Sequence, residues 1–155
     1  MYNSNNDGVD HINIYSQGKT VLGCFLSNWY RYPIVLGGLG RFESVEGLWY
    51  YISTRDERLR NMSGFAAKKL GKSLPKVVDI SDDLFKECIK VAIKTKICGS
   101  PFHIQFVESV LPFDHYYVFS GKQVDAGHKW IVEYITHLRQ QLKDDLNRGN
   151  IKIVT

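Results

Sequence analysis

Two stretches of this chain place apolar side chains every three to four positions, and this periodicity limits the folds open to it. Trp130, Ile131, Tyr134, Ile135, Leu138 and Leu142 form one such stripe. Phe85, Cys88, Ile89, Ala92, Ile93 and Ile97 form the other. A period of 3.6 puts each set on one face of a helix, which must be buried against something. Short strands are expected between these helices and fewer in number than the helices. The class expected is α+β: a single compact domain, mainly helices around short strands. The 155 residues suit one domain of common size, and 44% hydrophobic against 23% charged residues excludes a disordered chain.

The rest of the chain fills in around these helices. Residues 1–10 are polar and read as a flexible arm, residues 11–146 as the domain, and residues 147–155 as a tail or edge strand. Residues 11–16 alternate as a first strand, and residues 21–26 and 33–36 are further extended candidates. Gly37, Gly38 and Gly40 mark a turn. Ser44 is an N-cap residue type, and Val45, Leu48, Trp49 and Ile52 follow at helical spacing, which predicts a helix over 45–54. Residues 54–63 read as a charged, exposed connection. Residues 64–70 read as a short helix ended by Gly71, and Pro75 precedes an extended KVVDI. Ser81-Asp82-Asp83 caps the second long helix. Residues 102–111 suit helix and strand equally. Residues 115–119 read as a strand, Ser120-Gly121 as a turn, residues 123–125 as the return, and residues 151–154 as a last strand or a frayed end. No internal repeat is present.

Several chemistries are disfavoured at once. Cys24, Cys88 and Cys98 are odd in number and lack C-x-x-C spacing, so neither a disulfide framework nor a zinc ribbon is expected. The five histidines form no H-E-x-x-H pair, and no metal or cofactor is expected. There is no Walker A loop and no G-x-S-x-G elbow. Gly37-Gly38-Leu39-Gly40 does not complete a dinucleotide loop. The first residues lack the basic and apolar regions of a signal peptide, and no apolar run approaches the roughly 18 residues of a membrane span. A cytoplasmic protein is expected, with no membrane and no obligate protein partner.

Aromatic residues make up 13% of the chain, and they bunch near three candidate site segments. Phe25-Leu26-Ser27-Asn28-Trp29-Tyr30 sets ring faces beside a hydroxyl and an amide, which suits a heterocycle joined to ribose, although composition alone favours a core strand with a turn at Ser27-Asn28. Glu46 falls in the first turn of the helix begun by Ser44, at the flank of its apolar face. It serves either to compensate the helix dipole or to act on a sugar carbon at a pocket edge. Asp125 precedes the last helix as a capping group or a second functional carboxylate, with Lys129-Trp130 just beyond it. Lys68, Lys69, Lys72 and Lys76 cluster, and Lys86, Lys90 and Lys94 follow. A solvated face explains most such clusters. A net charge of +4 leaves room for phosphate contacts but not for strong non-specific DNA binding.

Taken in order, FLSNWY, PIVL, FESVEGLWYYIS and AAKKLGK resemble the NADAR superfamily, also called the YbiA-like domain. Lys96 and YYVFSGKQVDAGHKW extend the resemblance over roughly residues 12–143, and the tail is similar to versions carried by T4-like bacteriophages. The resemblance implies an α+β fold and N-glycosidase activity. Some characterised relatives act on phosphorylated riboflavin-pathway intermediates. Others remove ADP-ribose from guanine in DNA, reversing a DarT-type modification, which in a phage would be counter-defence in the host cytoplasm. Carried over by position, Glu46 matches the acid of S-V-E. Phe25, Ser27, Asn28 and Trp29 match the pocket block, with the aromatic Tyr30 beside them assigned to the same ligand, and one of Lys68 and Lys69 matches the lysine of A-K-x-L-G. Asp125 and Trp130 fall where the family has late site residues. Ser53 stands where many relatives have a lysine seven residues after the acid, and no W-G-x-G segment is present.

The implied substrate is ADP-ribose on a nucleic acid, with Glu46 and Asp125 catalytic, and Phe25, Ser27, Asn28, Trp29, Tyr30, Lys68, Lys69 and Trp130 binding the ligand. Ribose C1–N cleavage passes through an oxocarbenium-like state that a carboxylate stabilises as nucleophile, base or counter-charge. Two rival readings are a glycosidase of riboflavin-pathway intermediates and a non-catalytic ADP-ribose-binding module. A third is an interaction protein whose aromatics are all core.

Overall fold

The computed structural model describes residues 1–149, so the strand expected over 151–154 lies outside the described residues. The fold is α+β, with helices predominating. The chain forms two compact units: residues 1–27 together with the chain from residue 97 onward, and residues 28–96.

In the first unit, strands β1 (Ile12–Asn13) and β4 (Phe113–Asp114) pair in parallel, Ile12 opposite Phe113. Strands β5 (Tyr116–Phe119) and β6 (Lys122–Asp125) form an antiparallel hairpin, closed by Ser120 and Gly121, both at positive φ. Helix α6 (Lys129–Asn147) is the one its stripe predicts, and it buries Ile131, Ile135, Leu138 and Leu142. Trp130 and Tyr134 flank that stripe and are only half-buried. Residues 102–111 resolve as helix α5 (His103–Glu108), with Phe106 and Val107 buried.

Residues 21–26, expected to be extended, are instead helix α1 (Val21–Leu26). Thr20 caps it, accepting a hydrogen bond from the Gly23 amide at 2.9 Å. Leu22, Phe25 and Leu26 then fall at i, i+3 and i+4 and are all buried. Gly23 packs against β1 so closely that a Cβ there would lie 2.3 Å from the Asn13 carbonyl oxygen. Residues 1–10, expected to fray, are pinned instead. The buried Asp7 carboxylate accepts from the Asn13 amide at 3.0 Å and the Lys19 amide at 2.8 Å, and the Ser4 amide donates to Gln123 at 2.7 Å. His11 is fully buried between the Asp10 carboxylate and the Tyr116 hydroxyl, each 2.6 Å from a ring nitrogen. Burial and the surrounding carboxylates of Asp7, Asp114 and Asp10 push the Tyr116 hydroxyl up to about 12.

In the second unit, β2 (Ile34–Leu36) and β3 (Gly40–Phe42) form a hairpin through the glycine turn. Helix α2 (Val45–Thr54) follows, as its pattern predicts. The charged connection contains a 3-10 turn (Glu57–Asn61) whose Leu59 is fully buried. Helix α3 (Gly64–Ser73) packs on α2 and runs past Gly71, which was expected to end it. Gly71 is buried against Tyr50, where a Cβ would lie 2.1 Å from the ring's Cγ. It is therefore a packing glycine and not a cap. Residues 76–80 form no strand; the amides of Val77 and Val78 donate to the Ser53 carbonyl at 2.8 and 3.0 Å. Helix α4 (Asp82–Cys98) buries Ile89, Ala92 and Ile93, and Trp49, expected in the core, is half-buried with Phe85 against its edge at 4.8 Å. Among the described residues no helix is long and apolar enough to cross a membrane.

Candidate active site

The start of α2 is set by Ser44. Its extended backbone leaves the side-chain oxygen free to accept from the Gly47 amide at 3.0 Å, and the hydroxyl donates to the Met62 carbonyl at 2.7 Å. Val45, Leu48 and Ile52 fill the core. With those positions fixed, Glu46 is turned to the flank of the buried face, where it is 8% exposed. Its own amide donates to the Asn28 carbonyl at 2.9 Å, so the chain of the FLSNWY block runs directly past the first turn of α2.

The Glu46 carboxyl group accepts a hydrogen bond from the Trp29 side chain. Lys68 and Lys72, one turn apart on α3, supply positive charge to it. Loss of hydration outweighs all three, and the carboxyl is pushed up to about 7. A group with that value is divided between acid and carboxylate at neutral pH, the condition for proton transfer in either direction. The Lys68 ammonium lies 5.8 Å from the Trp29 ring centroid, so it faces both the carboxylate and the indole. The exposed ring of Phe65 lies 6.5 Å from the Trp29 ring, centroid to centroid.

The second unit thus brings Asn28, Trp29, Glu46 and Lys68 together. It separates the two lysines that the sequence left open, because Lys68 is half-buried at the carboxylate and Lys69 is exposed. The Tyr30 ring has the Lys96 ammonium 5.6 Å from its centroid. Lys96 is 2% exposed, and burial pushes it down to about 7. Lys72 and Lys96 extend the set of candidate residues beyond those assigned from sequence. Both carried a signal: Lys72 is four residues after Lys68, and Lys96 is seven after Ile89, in register with the buried stripe of α4.

The first unit holds the other candidates. Phe25 is fully buried in α1 and stacks on Phe102 at 4.2 Å, so its ring serves the core. Ser27 is buried at the C-terminus of α1, its amide donating to the Cys24 carbonyl at 3.2 Å. Asp125 does not cap α6. It is exposed at the end of β6, opposite Tyr116, and accepts from the Gly127 amide at 2.7 Å. Trp130 is half-buried in the first turn of α6. Among the described residues no group of three or more His, Cys, Asp or Glu side chains is arranged to hold a metal ion.

No protein-family model matches the chain, and no curated protein sequence matches it. Among solved structures it is similar to the NMR structure of the Escherichia coli protein YbiA, with a TM-score of 0.63 and 16% sequence identity. The match covers 87% of this chain and 86% of that one. The fold is therefore that of YbiA.

Proposed function

We propose that this chain is an N-glycosidase that hydrolyses the bond between ribose C1′ and a base nitrogen, with ADP-ribosylated guanine in DNA as its substrate. The observation that carries this reading is Glu46: a carboxylate 8% exposed, titrating at about 7, hydrogen-bonded by Trp29 and faced by Lys68, within a YbiA-like fold.

In the reaction, the C1′–N bond breaks with its electron pair going to the base nitrogen. The sugar gains oxocarbenium character, which the Glu46 carboxylate offsets. Water adds to C1′ and gives its proton to Glu46, and the departing base takes a proton from solvent. Trp29 holds the carboxylate in place, and Lys68 both stabilises its ionised form and meets the substrate's phosphates. Reversal of a DarT-type modification in the cytoplasm, carried out by a phage protein, is the setting this substrate implies.

The test is incubation with single-stranded DNA carrying ADP-ribosylated guanine, followed by detection of free ADP-ribose. Release by wild type and loss in Glu46→Gln are expected. Equal release by both proteins overturns the role of Glu46. Turnover of phosphorylated riboflavin-pathway intermediates alone overturns the DNA substrate while keeping the reaction class. Tight ADP-ribose binding without turnover of either substrate overturns the enzyme itself.

A further inference from the structure

The β5–β6 hairpin carries an exposed aromatic face. Residues opposite each other across an antiparallel pair share a face. Tyr117 pairs with Val124 and Phe119 with Lys122, so these four side chains lie on one side of the hairpin. Tyr116, Val118, Gln123 and Asp125 lie on the other, where Tyr116 is buried and Gln123 bonds the N-terminal segment.

The first face is built rigidly at its base and left open at its tip. The Tyr15 ring lies 5.6 Å from that of Tyr117, and the Tyr15 hydroxyl donates to the Val118 carbonyl at 3.2 Å. The His115 ring meets Tyr117 edge-on at 5.8 Å, and its Nδ1 is 2.5 Å from the Ile14 carbonyl oxygen. Beyond these rings, Phe119 is 70% exposed and Val124 is 47% exposed.

The charge on this face selects the partner. Lys122 stands directly across from Phe119 and is exposed. No acidic residue is among Tyr117, Phe119, Lys122 and Val124, because Asp125 is on the opposite face. An open ring beside a cation fits a flat base joined to a phosphate. We propose that the β5–β6 hairpin binds single-stranded DNA, with a base stacked on Phe119 and the adjoining phosphate held by Lys122. This surface is independent of the glycosidase reading, since it needs no modified nucleotide.

The test measures binding of an unmodified, fluorescently labelled 12-nucleotide DNA strand to the full chain by anisotropy at two salt concentrations. Wild type is expected to bind, with affinity falling as salt rises. Phe119→Ala is expected to weaken binding about tenfold, Phe119→Trp to retain it, and Lys122→Gln to weaken it and flatten the salt dependence. Both positions are exposed, so the variants are expected to keep the wild-type melting temperature. Absence of binding by wild type, or equal binding by Phe119→Ala, overturns the proposal. A wild-type dimer that Phe119→Ala converts to monomer in sedimentation also overturns it, assigning the face to a second copy.

Discussion

The Trp29 side chain donates a hydrogen bond to the Glu46 carboxyl group, while the backbone beside Trp29, at Asn28, receives the Glu46 amide at 2.9 Å. One segment therefore holds both ends of the candidate catalytic residue. The indole favours the carboxylate, and burial favours the acid, with burial the larger effect.

That balance makes the proposed reaction pH-dependent. With Glu46 acting as the base, kcat/KM is expected to rise with pH and level off above about 7. Trp29→Phe keeps a ring but removes the donor, and Lys68→Met removes a cation. Each is expected to move the midpoint to higher pH. A pH–rate profile of each variant checks this, and an unmoved midpoint in both contradicts the assigned electrostatics.

Stability is expected to pass through a low point near neutral pH as far as two buried groups are concerned. Glu46 has a folded value raised from 4.5 to about 7, so its contribution is full below about 4.5 and is lost as pH rises through about 7. The loss is on the order of 3 kcal/mol. Lys96 has a folded value lowered from 10.5 to about 7, so its contribution is lost as pH falls from above 10.5 through about 7. Glu46→Gln is expected to flatten the acid limb of a melting-temperature profile, and Lys96→Met the alkaline limb. Melts from pH 5 to 10 check both.

Gly47 and Gly71 hold α2 against its neighbours at distances that only glycine permits. A Cβ at Gly47 would lie 2.4 Å from the Leu59 carbonyl oxygen, and one at Gly71 would lie 2.1 Å from Tyr50 Cγ. Alanine at either position is expected to destabilise by about 1–3 kcal/mol, or roughly 2–10 °C in melting temperature. Differential scanning calorimetry measures the shift. A wild-type melting temperature in either variant contradicts the close packing.

Ser44 acts twice, as the cap of α2 and as the donor to the Met62 carbonyl. Ser44→Ala is expected to cost about 0.5–2 kcal/mol from the cap. Ser44→Asp can still accept from the Gly47 amide, but it repels Glu46 two residues on and leaves the Met62 carbonyl without its donor. It is therefore expected to rescue stability only in part while raising the Glu46 midpoint. Urea unfolding and the pH–rate profile report the two effects separately.

Much of this arrangement is legible in the amino-acid sequence. A 3.6-residue period places a face wherever it occurs, so α2, α4 and α6 follow from their stripes, and Ser44 with its apolar stripe puts Glu46 in a first turn at the flank of the buried face. Lys96 also lies in register with a buried stripe, and it marks a buried cation that charge counting alone treats as solvated. Six-residue segments are less readable. Val21–Leu26 satisfies a strand by composition, and Thr20 as its cap, with Leu22, Phe25 and Leu26 on one side, becomes decisive only once these side chains have something to pack on. Tertiary structure alone could separate Lys68 from Lys69, send the Phe25 ring to Phe102, and turn Asp125 away from α6. Local sequence sets the period of a face and the residue that begins a helix. Which side chain lies near which charge, and how much water each keeps, depends on segments distant in sequence, and these contacts push Glu46 to about 7.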